Sequence, residues 1–172
     1  VHNARLDDAR MSKKYKLDSG DTILLKDRTK VSNFFDDHQL KQTYEAELAS
    51  LLLLTTSANR VHFFDHTVRA SDPAKREQQQ SREPSILSHN DYTANSGFRC
   101  LQEQLPQEAE GLSTKRFQII NLWRPLVDPV ESFPLAFCDS SSIAEADLVD
   151  TYERSPSHLG ELSFITYNPA HR

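Results

Sequence analysis

A succession of short β-forming segments dominates this sequence after residue 60. Residues 116–123 are the clearest of them, and residues 60–68, 135–138, 147–149 and 161–167 add further runs of branched, aromatic or alternating residues. Branched and aromatic side chains fit a pleated, half-buried surface, so these runs are typical of strands. Many short strands separated by turns favour a sandwich or barrel. We therefore predict a mainly β fold with flanking helices, of the jelly-roll type.

The first third of the chain adds a helix to this pattern. Asp36 or Asp37 can cap a helix over residues 38–54, whose apolar residues recur at helical spacing. Its apolar stripe is typical of a side that faces the core. Residues 21–25 predict a short strand before it.

The middle of the chain contains a polar segment and two further helices. Residues 70–85 carry almost nothing apolar, which predicts a flexible loop. A helix is predicted over residues 96–105, where Pro106 breaks it, and a second short helix over residues 107–113. No internal repeat is visible. We predict a frayed terminus over residues 1–14 and a single domain over residues 15–172.

Composition excludes several classes of protein. The net charge is −5 with 26% charged residues, and no basic stripe is present, which argues against a nucleic-acid partner. The longest apolar run, Leu51–Leu54, is far too short to span a membrane. The start of the sequence shows no apolar signal segment, so we expect a cytoplasmic protein. Cys100 and Cys138 lack a metal or redox spacing, which indicates two reduced thiols.

The residues His89-Asn90-Asp91 form the strongest candidate for chemistry. In an extended segment, residues 89 and 91 project from the same face, so an imidazole nitrogen and a carboxylate oxygen can bind one metal together. These are two of the three ligands that hold non-haem Fe(II) in the facial triad. The alternative is a hydrogen-bonded pair at the end of a strand. Tyr92 and Thr93, which follow, would orient the ligands or simply pack.

The third ligand of such a site would be a second histidine. After the motif the sequence offers His158 and His171. His158 lies in a Ser-Pro-Ser-His-Leu-Gly turn and is expected to be exposed. His171 is the candidate for the third ligand. Earlier in the chain, His66 in Asp-His-Thr is interpreted as a hydrogen-bonded structural residue.

Asn121, Trp123 and Arg124 form a second group of candidates. Asn121 and Trp123 share one face of their predicted strand, and there they would line a cofactor or substrate pocket. Arg124 could clamp a carboxylate with both guanidinium nitrogens. The alternative is structural: Trp123 would be a core aromatic residue, and Arg124 would pair with a carboxylate such as that of Asp139.

Several segments together resemble one family. They are Phe64–Arg69, His89–Thr93, Asn121–Leu126, Pro129-Val130 with Pro134–Ala136, Cys138-Asp139 and Tyr167–Arg172. Their order and spacing resemble the CmcJ/NvfI-like hydroxylase/desaturase family of secondary metabolism, over about residues 15–172.

This resemblance implies a double-stranded β-helix (cupin-like) fold and oxygenase chemistry with Fe(II) and 2-oxoglutarate. It also implies that His89 and Asp91 are iron ligands, and that a small organic metabolite is hydroxylated or desaturated. The family pattern continues past the Asn-Pro-x-His-Arg segment to a further histidine ligand and an arginine that binds 2-oxoglutarate. Neither has a counterpart here, so we expect a barrel that is incomplete at its C-terminal side.

Three functions therefore fit the sequence. The first is an oxidoreductase with the chemistry of the family. The second is a truncated, non-catalytic paralogue that acts as a binding or interaction protein. The third is an inert fragment whose open sheet edge seeks partners. The sequence does not indicate an oligomeric state.

Overall fold

A computed structural model describes residues 6–11, 17, 22–154 and 159–172 of the chain. The chain divides into two compact units, one comprising Asp7–Pro84 and the other Ser85–Arg172 together with Val1–Leu6. The single domain expected over residues 15–172 stays a prediction. The frayed terminus expected over residues 1–14 falls largely outside the described residues.

In the unit Asp7–Pro84, one helical stretch supplies most of the regular structure. It runs through α1 (Asp37–Gln39), a π-helical segment (Leu40–Tyr44) and α2 (Glu45–Thr56), which confirms the helix predicted over residues 38–54. Asp36 is the N-cap, because its carboxylate accepts hydrogen bonds from the backbone N–H groups of His38 and Gln39. A separate 3-10 turn covers Ala9–Met11.

An apolar cluster holds this helical stretch against the segment before it. Its buried members are Val31, Leu40, Tyr44 and Leu48, and Phe34, Leu51 and Phe63 pack against them. The Glu47 carboxylate on α2 also accepts hydrogen bonds from the Thr29 hydroxyl at 2.6 Å and the Lys30 backbone N–H at 3.0 Å. The preceding segment is therefore fixed by both apolar and polar contacts.

Three predictions in this unit are wrong. Residues 22–25 and 60–68 form no strand, since the described residues give them no ladder partner, and Asp21 lies outside the described residues. The polar segment predicted to be a loop contains helix α3 (Pro73–Gln79). Helix formation there is local: the Asp72 side chain caps the N–H of Ala74 at 2.9 Å, and a proline occupies the first helical position.

The unit Ser85–Arg172 contains an antiparallel sheet of three strands. They are β1 (His89–Asn90), β2 (Leu148–Arg154) and β3 (Leu159–Ile165), in the order β1-β3-β2. In the register, His89 lies opposite Phe164 and Asn90 opposite Ser163. The strands predicted at 147–149 and 161–167 are confirmed, although β2 extends further than predicted.

Two helices accompany the sheet. Helix α4 (Ala94–Gln104) and helix α5 (Ala109–Ser113) confirm the helices predicted over residues 96–105 and 107–113. Thr93 begins α4 through a capping box, in which its hydroxyl accepts from the N–H of Ser96 and the Ser96 hydroxyl accepts from the N–H of Thr93. Short 3-10 turns cover Ser140–Ser142 and Glu145–Asp147.

The strands predicted at residues 116–123 and 135–138 are wrong. Neither segment has a hydrogen-bonded neighbouring strand among the described residues. Several of their large apolar side chains are exposed: Leu122, Trp123, Leu135 and Phe137. The three-stranded sheet neither completes nor excludes a jelly roll, which stays a prediction.

Candidate metal centre

Strand β1 and the residue after it bring the His89 ring and the Asp91 carboxylate together. The His89 Nε2 atom lies 3.2 Å from Asp91 Oδ1, and the two side chains are 21% and 41% exposed. Pairing of β1 with β3 fixes His89, whose ring lies 5.8 Å from that of Phe164 opposite it. The structure therefore gives the His-x-Asp motif the short separation that its spacing predicts.

A backbone carbonyl sets the orientation of the imidazole. The His89 Nδ1 atom lies 2.7 Å from the carbonyl oxygen of Leu87. A carbonyl oxygen can only accept, so the proton of the neutral ring is assigned to Nδ1 and the lone pair to Nε2. Metal-ligating histidines commonly make this contact, which fixes their tautomer and their orientation.

An amide group fixes the carboxylate from its other side. The Asn121 Nδ2 atom donates a hydrogen bond to Asp91 Oδ2 at 2.6 Å. The Asp91 Oδ1 atom is left directed at His89. The candidate pocket residue Asn121 therefore joins the His-x-Asp motif, and it does so by holding a carboxylate oxygen.

The resulting pair of donor atoms fits a divalent cation. A lone pair on His89 Nε2 and an anionic Asp91 Oδ1 repel each other at 3.2 Å unless a cation or a proton on Nε2 lies between them. Two ligands at right angles on an octahedral ion, with bonds of about 2.1 Å, are about 3.0 Å apart. An imidazolium–carboxylate ion pair is the alternative explanation of the same distance.

The third protein ligand is not found in the described part of the chain. His171 Nε2 lies 3.2 Å from Asp147 Oδ2, and both side chains are 14% exposed. Among the described residues, no group of three or more His, Cys, Asp or Glu side chains could hold a metal ion. The structure thus does not bring His171 to the pair His89–Asp91. His158 lies outside the described residues.

Hydrogen bonds of Asp147 locate His171 in a different cluster. The backbone N–H of Ala144, the side-chain amide of Asn168 and the ring of His171 hold the pKa of the Asp147 carboxyl below its usual value. The described hydrogen bonds of His171 thereby connect the end of the chain to the turn before β2.

Trp123 and Arg124 remain candidates for a pocket. The interpretation of Trp123 as a core aromatic residue is wrong, because 49% of its surface is exposed. Arg124 is half-buried. The carboxylate of Asp139 lies 3.5 Å from the guanidinium group of Arg172. The role of Trp123 and Arg124 in binding a cofactor or substrate stays a prediction.

Thr93 and Tyr92 lead from the motif into helix α4. Thr93 caps the helix, and its hydroxyl also donates a hydrogen bond to Glu161 Oε1 at 2.6 Å. The Cys100 thiol lies 3.7 Å from the Tyr92 hydroxyl oxygen. Sequence reasoning missed Glu161, which is buried, because an alternating strand pattern does not decide which face is buried. The three-residue spacing of Thr93, Ser96 and Arg99 indicates that polar groups share one helix face, but not which residue contacts them.

Two other predictions concern residues away from this motif. In the unit Asp7–Pro84, His66 Nε2 lies 2.9 Å from Glu45 Oε1, which confirms a structural, hydrogen-bonded role. Cys100 and Cys138 are both free thiols, as predicted. Within the described ranges, every helix is too short or too polar to cross a membrane.

Comparison with known proteins finds oxidoreductases. The sequence model of a family described as "Oxidoreductase/YMDC permease-like domain" matches residues 1–172. The hydroxylase/desaturase CTB9 of Cercospora beticola is 32% identical over 154 residues, which cover 83% of this chain and 47% of that protein. The Fe(II)/2-oxoglutarate-dependent dioxygenase nvfI of Aspergillus novofumigatus is 30% identical over 116 residues, covering 66% of this chain and 40% of that protein.

A third relative extends the match over nearly the whole chain. The alpha-ketoglutarate-dependent dioxygenase phiK of a fungal species is 26% identical over 160 residues, which cover 91% of this chain and 57% of that protein. The chain spans about half the length of the curated relatives that it matches. No solved structure matches it.

Proposed function

This chain belongs to the CmcJ/NvfI-like hydroxylase/desaturase family of oxidoreductases, and from that premise we propose that it carries part of an Fe(II)/2-oxoglutarate-dependent oxygenase site. The proposed reaction is hydroxylation or desaturation of a small organic metabolite. The observation that carries the proposal is the 3.2 Å separation of His89 Nε2 and Asp91 Oδ1, with the second polar atom of each side chain already engaged.

Each residue of the centre has a distinct role in this proposal. His89 offers a lone pair on Nε2, because its Nδ1–H group donates a hydrogen bond to the carbonyl oxygen of Leu87. Asp91 offers Oδ1, because Asn121 occupies Oδ2. When bound, Fe(II) with 2-oxoglutarate and O2 would supply the oxidation of a substrate C–H bond. The protein would hold the two ligand atoms and orient them.

Binding of the co-substrate is assigned to the segment that contains Asn121. Trp123 offers an exposed aromatic face, and the guanidinium group of Arg124 suits a carboxylate of 2-oxoglutarate. We propose a double-stranded β-helix as the fold that contains the sheet β1-β3-β2. Its third metal ligand is not assigned to a residue.

A second candidate function is binding without catalysis. It is favoured by one observation: among the described residues, no group of three or more metal-ligating side chains comes together, so the pair His89–Asp91 lacks a third protein ligand there. Two protein ligands hold Fe(II) more loosely than the three of a facial triad. In this case the chain would bind a partner or a metabolite through the remaining fold.

An anaerobic titration of the purified chain with Fe(II) and 2-oxoglutarate separates the two candidates. We expect a weak visible charge-transfer band that saturates, is lost in His89→Ala and is retained in His62→Ala. His62 is the matched control because it is an exposed histidine in the other compact unit. Absence of the band from folded wild-type protein would refute the metal centre and favour binding without catalysis.

A further inference from the structure

We propose that Glu161 is a positioning residue for the His89–Asp91 pair: it fixes the backbone on the C-terminal side of Asp91 to strand β3. This inference rests on the proposed function insofar as it concerns a metal. The described hydrogen bonds of the Glu161 carboxylate reach Thr93 and Arg99 and neither candidate ligand, so Glu161 would act through Thr93 and the start of helix α4.

Strand β3 holds the segment around Asp91 at two points. On one side, Asn90 pairs with Ser163 in the β1-β3 ladder. On the other side, the Thr93 hydroxyl donates to Glu161 Oε1 at 2.6 Å. The first attachment is backbone pairing in the plane of the sheet, and the second is a side-chain contact of Glu161, two residues from Ser163 on the same strand, so β3 provides both attachments. Asp91 and Tyr92 are the residues between them.

Burial makes the second attachment specific. Glu161 is 7% exposed, and both of its carboxylate oxygens have partners. Oε1 accepts from Thr93, and Oε2 accepts from Arg99 Nη2 at 2.6 Å. The Ser96 hydroxyl also donates to the backbone carbonyl of Glu161 at 3.3 Å. A buried carboxylate needs such partners, so helix α4 must present Thr93, Ser96 and Arg99 in this register.

The Asp91 carboxylate has few other attachments. Its side chain is 41% exposed, it accepts a hydrogen bond from the exposed residue Asn121, and its Oδ1 atom lies 3.2 Å from His89 Nε2. Its position therefore depends on its backbone as well as on these two side chains. The geometry of metal ligands tolerates errors of only about 0.5 Å. Release of Thr93 from Glu161 would move Asp91 Oδ1 away from His89 Nε2 by more than this tolerance and so weaken metal binding.

The first test compares Glu161→Gln with Asp150→Asn in the anaerobic titration with Fe(II) and 2-oxoglutarate. Both variants exchange a carboxylate for an amide, and Asp150 Oδ1 accepts from Ser163 within the same sheet, with no described hydrogen bond to α4. Glu161→Gln is expected to weaken metal binding about tenfold, at the lower end of the range for residues behind metal ligands. Asp150→Asn is expected to bind as wild type does. Equal metal affinity of Glu161→Gln and wild type would overturn the proposal.

A second test works without a metal. Hydrogen exchange of the metal-free protein should be faster in residues 91–97 of Glu161→Gln than in wild type, and unchanged there in Asp150→Asn. If wild type binds no Fe(II), the proposed function fails, and this exchange result alone decides the positioning role. Unchanged exchange at 91–97 would refute that role even if Fe(II) binds.

A pair of substitutions at the other end of the contact covers the case in which Glu161→Gln does not fold. Thr93→Ser keeps the hydroxyl that reaches Glu161, and Thr93→Val removes it. We expect Thr93→Ser to retain the wild-type exchange at 91–97 and the wild-type affinity for Fe(II), and Thr93→Val to lose both. Identical behaviour of the two variants would contradict the role of the Thr93–Glu161 contact.

Discussion

The two compact units of this chain bury different kinds of side chain. Among the described residues of Asp7–Pro84, the buried ones are apolar or aromatic: Val31, Leu40, Tyr44, Leu48 and Leu52. Among those of Ser85–Arg172, three of the five buried residues are polar, namely Ser96, Glu161 and Ser163, and the other two are Cys100 and Ala109. Non-directional apolar packing therefore contributes most to the buried part of the first unit, and hydrogen bonds that fix direction and register contribute most to that of the second.

This contrast matters because the candidate metal centre lies in the second unit. An apolar cluster tolerates small shifts of its members, whereas a buried hydrogen-bond network specifies one arrangement. The hydrogen bonds of Glu161 attach the start of helix α4, directly after the His-x-Asp motif, to strand β3. Substitutions that damage apolar packing should therefore act on the first unit, and substitutions that remove charge or hydroxyl groups should act on the second.

Leu48→Ala is expected to have the largest effect on stability. Leu48 is 4% exposed in the apolar cluster, so its truncation loses apolar burial and leaves a cavity. We expect a loss of about 3 kcal/mol in the free energy of unfolding. Denaturant unfolding followed by circular dichroism measures it.

Leu54→Ala is the matched control for this prediction. It makes the same change on the same helix α2, but at a side chain that is 85% exposed. Its effect should stay within about 0.5 kcal/mol. Equal losses in the two variants would mean that burial in the apolar cluster does not decide the stability of the first unit.

Glu161→Ala is expected to have the next largest effect. It leaves the Thr93 hydroxyl and the Arg99 guanidinium group without their shared acceptor. Arg99 is 35% exposed, so water replaces part of the lost contact, and we expect a loss of about 2 kcal/mol. The same unfolding experiment applies, with Glu103→Ala on the exposed side of α4 as control. A loss no larger than that of the control would show that the polar network contributes nothing to stability.

The helices over residues 38–54, 96–105 and 107–113 were predictable from the sequence because their signals are local. The capping carboxylate of Asp36, the apolar spacing after it and the helix-breaking Pro106 all act within a few residues. Strands at residues 116–123 and 135–138 were predicted from equally clear patterns, yet they have no ladder partner in the described ranges. A high strand propensity shows that a segment can adopt an extended conformation, whereas its pairing into a sheet depends on residues far along the chain.

In the candidate site, too, contacts between neighbours in sequence were predictable and contacts between distant residues were not. The short distance between His89 and Asp91 follows from an extended backbone, and two-residue spacing predicts it. Neither the Asn121 contact with Asp91 nor the burial of Glu161 could be derived in this way, because both join residues that are distant in sequence. Identical alternation in β3 is compatible with either face being buried, and here the face with Glu161 and Ser163 is the buried one.

A smaller effect on stability is expected at the start of helix α3, which was not predicted although its capping signal is local. The Asp72 carboxylate accepts from the N–H of Ala74 at the start of α3, a helix without buried residues. Asp72→Ala should weaken this helix by about 1 kcal/mol, and Asp72→Asn should preserve it, since asparagine caps equally well. Hydrogen exchange of residues 74–79 measures the difference. Equal exchange in the two variants would mean that contacts other than the cap hold α3.

The last prediction concerns the second unit at low pH. The N–H of Ala144, the amide of Asn168 and the ring of His171 hold the pKa of the Asp147 carboxyl below its usual value of 3.8. The folded state thus favours the ionised carboxylate, so its stabilisation is fully present above pH 3.8 and is lost as the pH falls through the lower pKa of the folded state. Asp147→Asn should flatten the fall of Tm between pH 5 and pH 2, while Glu131→Gln, at an exposed position, should keep the wild-type slope. If Asp147→Asn also keeps that slope, the hydrogen bonds to the Asp147 carboxylate do not stabilise the second unit. The network around Glu161 would then be the main source of polar stabilisation in that unit.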